Sequence, residues 1–368
     1  MFVPPLFLVP FEDKKSHGVS YLLLNGGTGG LLIGFGLANR AVIGLSGAAV
    51  GLAFLVLAME TWEMVRRSVQ RSGLQAWFYG VAVLALVVGI GLAELMVFGT
   101  VTPDHVPVVR LAHLHVNLLG FVTLTIVGTA HTLFPTLAET PLYSERLALA
   151  AFALLTVGLV GLVSGLLLAE PLVQIGAGGL VLAGTVCYGW NLVGTWLASK
   201  TKCSLPVLHV LCASGWLVCT AAGGLFLAWN SRTTPPPVPI GTAHLLGYSH
   251  MALVGFILQT IMGALSHLLP VMVALARVRS RKKRGPYVER LASLIESGKW
   301  VQLAGLNLGV VAMLGWALAV SFAGLRSELT LAMLGIAAGL LLLALLVFVG
   351  TIMRVLASRP GETEGTAS

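Results

Sequence analysis

Ten apolar stretches, each about 20 residues or longer, recur from one end of the chain to the other. No other feature constrains the fold as much. A run of that length can cross the hydrocarbon of a bilayer as one helix, and in lipid a helix satisfies its own backbone donors and acceptors. The runs lie near residues 19–38, 41–65, 75–99, 107–136, 147–169, 172–198, 205–229, 241–275, 300–323 and 328–353. Only 10% of residues are charged, where a soluble domain carries about a quarter. The expected fold is an all-α, polytopic transmembrane helical bundle of about ten helices, a single integral membrane domain over 1–368, with membrane lipid as its surroundings. The longest polar segment, a basic loop at 277–299, is too short to build a core of its own.

The net charge of +8 does not point to nucleic acid, because of where the charge sits. RVRSRKKRGPYVER (277–290) follows directly on an apolar run, as clusters do that fix the cytoplasmic side and meet anionic lipid. Arg66, Arg67 and Arg71 follow the second run, Lys200 and Lys202 the sixth, and Arg354 and Arg359 the tenth. The alternate loops are poor in Lys and Arg, Arg40 being the exception. Both termini are therefore expected in the cytoplasm, with the chain in a bacterial or archaeal plasma membrane. The first residues, MFVPPLFLVPFEDKKSHG, lack the charge order and cleavage pattern of a secretory signal. Cys187, Cys203, Cys212 and Cys219 show no paired spacing and read as small core residues.

Within this apolar chain, histidine is concentrated. Six of nine histidines, His113, His115, His131, His244, His250 and His267, fall in two runs. Those runs repeat each other: HVNLLGFVTLTIVGTAHTLFP (115–135) and HMALVGFILQTIMGALSHLLP (250–270) share H-x4-G-F-x6-G-x6-P in one register. The repeat cores are 111–136 and 246–271. An even number of spans separates the copies, so they cross in parallel, four helices apart. His115 and His250 are then expected at one depth in the outer half, with His131 and His267 at a second depth, roughly 24 Å further along the helix. The glycines Gly120, Gly128, Gly255 and Gly263 allow a neighbouring helix or a flat ligand to approach.

Ionisable groups in a membrane interior are costly, so they default to a functional reading. Two depth-matched pairs suit bis-histidine haem ligation, one imidazole from each helix. His113 and His115, two residues apart, point to nearly opposite flanks, so one helix could serve two sites. Glu94 is a candidate proton carrier or partner to an imidazole, and Tyr248 a candidate hydrogen-bond donor to a ligand or an interfacial aromatic. His17 and His105 read as interfacial or solvated, and His209 as a packing residue.

HLHVNLLGFVTLTIVGTAHTLFP resembles the histidine-bearing helix of the haem–copper oxidase catalytic subunit, nearest the C-type oxidases and nitric oxide reductases. There an H-x-H helix continues into G-[WF]-V, a later glycine and a final proline. The resemblance is close over spans four and eight and architectural elsewhere. It implies that His115 and His250 bind haem, of b type, and that His113 holds a second haem or a copper. It also implies oxidoreductase chemistry, with a cytochrome or copper protein as redox partner. The sequence contains no His-His pair and no His-Pro-Glu, which in that family carry the copper site. The resemblance is thus to a reduced form, suited to electron transfer or to O2 or NO chemistry or sensing without a standard copper site. Two alternatives remain: a copper or small-solute transporter with a histidine-lined path, and a structural subunit of a respiratory assembly.

Overall fold

The computed structural model describes residues 15–67, 73–201 and 203–360. Arg71 and Lys202, two of the residues that orient the chain, lie outside it, as does most of the N-terminal segment. Eleven helices make up the described chain: α1 (Lys15–Gly36), α2 (Arg40–Arg67), α3 (Leu74–Val97), α4 (Val106–Leu137), α5 (Glu145–Leu167), α6 (Pro171–Ala198), α7 (Leu205–Asn230), α8 (Thr242–Arg277), α9 (Arg281–Glu296), α10 (Lys299–Ala323) and α11 (Glu328–Ala357). All but α9 are long and apolar enough to cross a membrane. Their outward faces are apolar: Leu22, Leu172 and Phe322 are 70%, 77% and 91% exposed, as lipid-facing side chains are.

The helices pack as two compact units, Met1–Thr132 with Glu145–Cys187, and Leu133–Ser144 with Tyr188–Ser368. In the first, α1 packs along α2 through small residues: Cβ atoms on Gly27 and Gly34 would fall 2.8 Å from Val50 and Ile43 side chains. α5 meets α6 in the same way at Gly158 and Gly165. Without a hydrophobic drive between helices in lipid, such close backbone approach supplies the dispersion energy that holds them. In the second unit the chain after α4 is tied to the end of α6. The Asn191 side chain brackets Ser144, accepting from its N–H at 2.9 Å and donating to its carbonyl at 3.0 Å.

The segment expected as a basic loop forms α9. Tyr287, Leu291 and Ile295, one helical turn apart, are buried with Leu205, Val273, Val278, Leu303 and Val355. Its polar groups close helix ends. Tyr287 donates to Ser358 O at 2.7 Å and Arg290 to Arg359 O at 2.6 Å, while Glu296 accepts from Leu205 N–H at 2.7 Å. Basic groups at the carbonyl end of α11 and an acid at the first turn of α7 both favour the helix dipoles.

Candidate functional site

α4 and α8 are not α-helical throughout. In each, eight residues adopt the wider π-helical turn, Val116–Thr123 and Met251–Leu258, at the same place in the repeat and directly after His115 and His250. π-Helical turns are rare and gather at functional sites. The two histidines are also held alike. His115 Nδ1 lies 2.8 Å from Leu111 O and His250 Nδ1 2.8 Å from Leu246 O. A carbonyl only accepts, so each Nδ1 carries the proton and the lone pair is on Nε2. No described residue engages either Nε2. Metal-binding imidazoles are ordinarily prepared in this way, the distal nitrogen donating to a carbonyl or carboxylate.

His113 is anchored differently. Its Nδ1 donates to Gly89 O on α3 at 2.8 Å, and Asn117, one turn on, donates to His113 O at 2.8 Å. Cross-helix and intrahelix anchors thus hold the two members of H-x-H in different directions. His131 is buried, with Nδ1 2.8 Å from Val127 O and its ring stacked on Phe78 at 5.8 Å.

His267 does not occupy the corresponding place. With both π segments in register, the counterpart of His131 is Ser266, which is buried, and His267 is one residue on and about 100° around the helix. The one-residue offset in sequence therefore places the two histidines on different helix faces. His244 uses both nitrogens: Nδ1 accepts from Gly241 N–H at 3.1 Å, and Nε2 donates to Ser321 Oγ at 2.8 Å. It caps α8 and ties it to α10, so it offers no lone pair to a cofactor. Glu94 points to α2, where Cβ atoms on Gly44 and Gly47 would meet its carboxylate at 3.1 and 2.7 Å. It makes no hydrogen bond to His113. Tyr248 lies over Gly223 and Gly224 of α7. His105 bonds Thr102 at 2.7 Å in an exposed turn, and His17 lies 3.3 Å from the buried Glu60.

The repeat glycines receive neighbouring helices. Gly120 faces Ala85 and Gly128 faces Phe78 on α3; Gly255 faces Trp216 and Gly263 faces His209 on α7. All four Cβ positions would be 3.0 Å or less from those neighbours, which leaves no room for a flat ligand there. Among the described residues no three His, Cys, Asp or Glu side chains converge as a metal-binding group. An apolar cleft of about 290 Å³ between α2 and α3, lined by Phe54, Leu55, Leu86 and Ile90 among others, brings no ligand atom to its surface. Asn117, which donates to His113 O, is not singled out from the sequence; its signal there is a lone amide one turn after H-x-H in an apolar run. No protein-family model matches the chain, and no curated protein matches it significantly.

Proposed function

We propose that this is a haem-binding integral membrane protein resembling a reduced haem–copper oxidase subunit, in which His115 and His250 each present Nε2 to b-type haem iron. The observation that supports it is the shared preparation of the two rings: one Nδ1–carbonyl bond of 2.8 Å in each, at the head of matched π-helical segments. That donor chemistry fits an axial ligand, since the bond fixes the tautomer and raises the basicity of Nε2. Haem iron would supply one-electron transfer or bind a diatomic gas, O2 or NO. The chain's own part is to hold the imidazoles in one orientation and to keep the surroundings apolar. His113, anchored to α3, is the candidate for a second haem or a copper, and a cytochrome or copper protein is the expected redox partner.

The test is the visible spectrum of protein purified from haem-replete cells. A Soret band is expected, lost or displaced in His115→Ala and in His250→Ala. Each change is expected to remove part of the absorbance. Colourless, metal-free protein refutes the proposal.

A histidine-lined solute transporter is the second reading. It is favoured by the half-buried Glu94 carboxylate against Gly44 and Gly47, and by the His17–Glu60 pair, since carboxylates within transmembrane segments mark ion paths. Substrate flux without porphyrin would select it.

A further inference from the structure

The second unit holds a group of polar side chains that the haem reading does not use. His209 on α7, Gln259 and Ser266 on α8, and Gln302 on α10 are each at most 3% exposed. Seven of their side-chain nitrogen and oxygen atoms have no hydrogen-bond partner among the described residues. They belong together. His209 packs on Gly263, whose Cβ would lie 3.0 Å from His209 Cβ. Gln259 and Ser266, four residues before and three after Gly263, share that face of α8. Gln302 reaches His209 from α10.

The first unit provides an internal control. Residues of α8 correspond to those of α4 135 positions earlier, and the α7 residues that face the glycines to those of α3 131 positions earlier. On that correspondence His209 stands where Phe78 stands, Gln259 where Leu124 stands, and Ser266 where His131 stands. In the first unit two of these three places are apolar: Phe78 and Leu124 are fully buried, and Phe78 contacts both His131 and Phe152. The same helix pairing therefore packs well with apolar groups. A buried polar group without a partner is destabilising, so the packing itself gives no reason for an imidazole, two amides and a hydroxyl.

We propose that His209, Gln259, Ser266 and Gln302 line a sealed hydration site within the second unit, with ordered water as the ligand. The set is neutral and mixes donors with acceptors, as water requires at about three hydrogen bonds per molecule. No charged side chain stands among the four to compensate the charge of an ion, whereas water needs no such compensation.

Radiolytic footprinting of the purified full chain in lipid nanodiscs tests this, because hydroxyl radicals formed from trapped water oxidise side chains that bulk water does not reach. Met262, fully buried beside Gly263, is the reporter, and Met353, 61% exposed, is the control. Met262 oxidation within tenfold of Met353 is expected, falling at least tenfold in His209→Phe/Gln259→Leu while Met353 is unchanged. Those two replacements are the residues that the first unit already accommodates. Unoxidised Met262 in the wild-type protein, or an unchanged rate in the variant, overturns the proposal. Should the variant not fold, ordered density between these side chains in a high-resolution map of the wild-type protein decides it: density supports the site, and a dry, closed contact refutes it. Neither readout depends on haem, so failure here leaves the haem proposal standing.

Discussion

At the scale of single residues, what separates one histidine from another is which ring nitrogen is already committed. His115 and His250 spend Nδ1 on a carbonyl one turn back, whereas His244 spends both nitrogens on a cap and on Ser321. His244→Ala should therefore weaken the fold by about 1–3 kcal/mol through lost hydrogen bonds and leave any haem absorbance intact. Thermal unfolding followed in parallel with the visible spectrum checks both halves. Histidine content marks a span but not the partners of each ring, which only the structure gives. The glycines allow a second comparison. A methyl on Gly255 would lie 2.6 Å from Trp216 Cγ, while one on Gly26 would meet nothing within 4 Å. Gly255→Ala is expected to cost about 1–3 kcal/mol by overpacking, and Gly26→Ala nothing beyond error, both read as shifts in unfolding midpoint in detergent.

At the scale of elements, the transmembrane helices were legible and the departures from them were not. The apolar run expected near 107–136 is the helix Val106–Leu137, and that near 300–323 is Lys299–Ala323, because run length alone sets a crossing helix. The π-helical segments left no such trace: a change of hydrogen-bond register alters neither composition nor periodicity over eight residues. Helix α9 escaped notice because its charges dominate the segment, although Tyr287, Leu291 and Ile295 fall one turn apart. Its packing against the neighbouring helices is apolar. Leu291→Ala should cost about 2–5 kcal/mol and loosen α9, so that trypsin cuts among Arg279, Arg281 and Lys282 at least tenfold faster. Tyr287→Phe, which removes the bond to Ser358 O and the longer one accepted from Arg277, should cost about 1 kcal/mol and leave the cutting rate near that of the wild-type protein.

At the scale of the whole molecule, parity and charge together lead to one arrangement. Ten candidate spans among the described residues is an even number, so if all ten cross, both ends of the chain would emerge on one side of the membrane. The basic residues at the end of α2, between α6 and α7, around α9 and at the end of α11 are expected to mark that side as cytoplasmic. Part of that charge is committed to structure, since Arg277, Arg284 and Arg290 donate to carbonyls at the ends of α8 and α11. Arg279, Arg281 and Lys282 remain exposed beside them and can face anionic headgroups. A fluorescent protein fused after Ser368 should therefore fluoresce in a bacterial host, and alkaline phosphatase fused there should be inactive. Phosphatase inserted between α7 and α8, in the segment containing Thr233–Pro237, should be active. The reverse pattern would invert the chain in the membrane. His115 and His250 would then lie toward the cytoplasmic side.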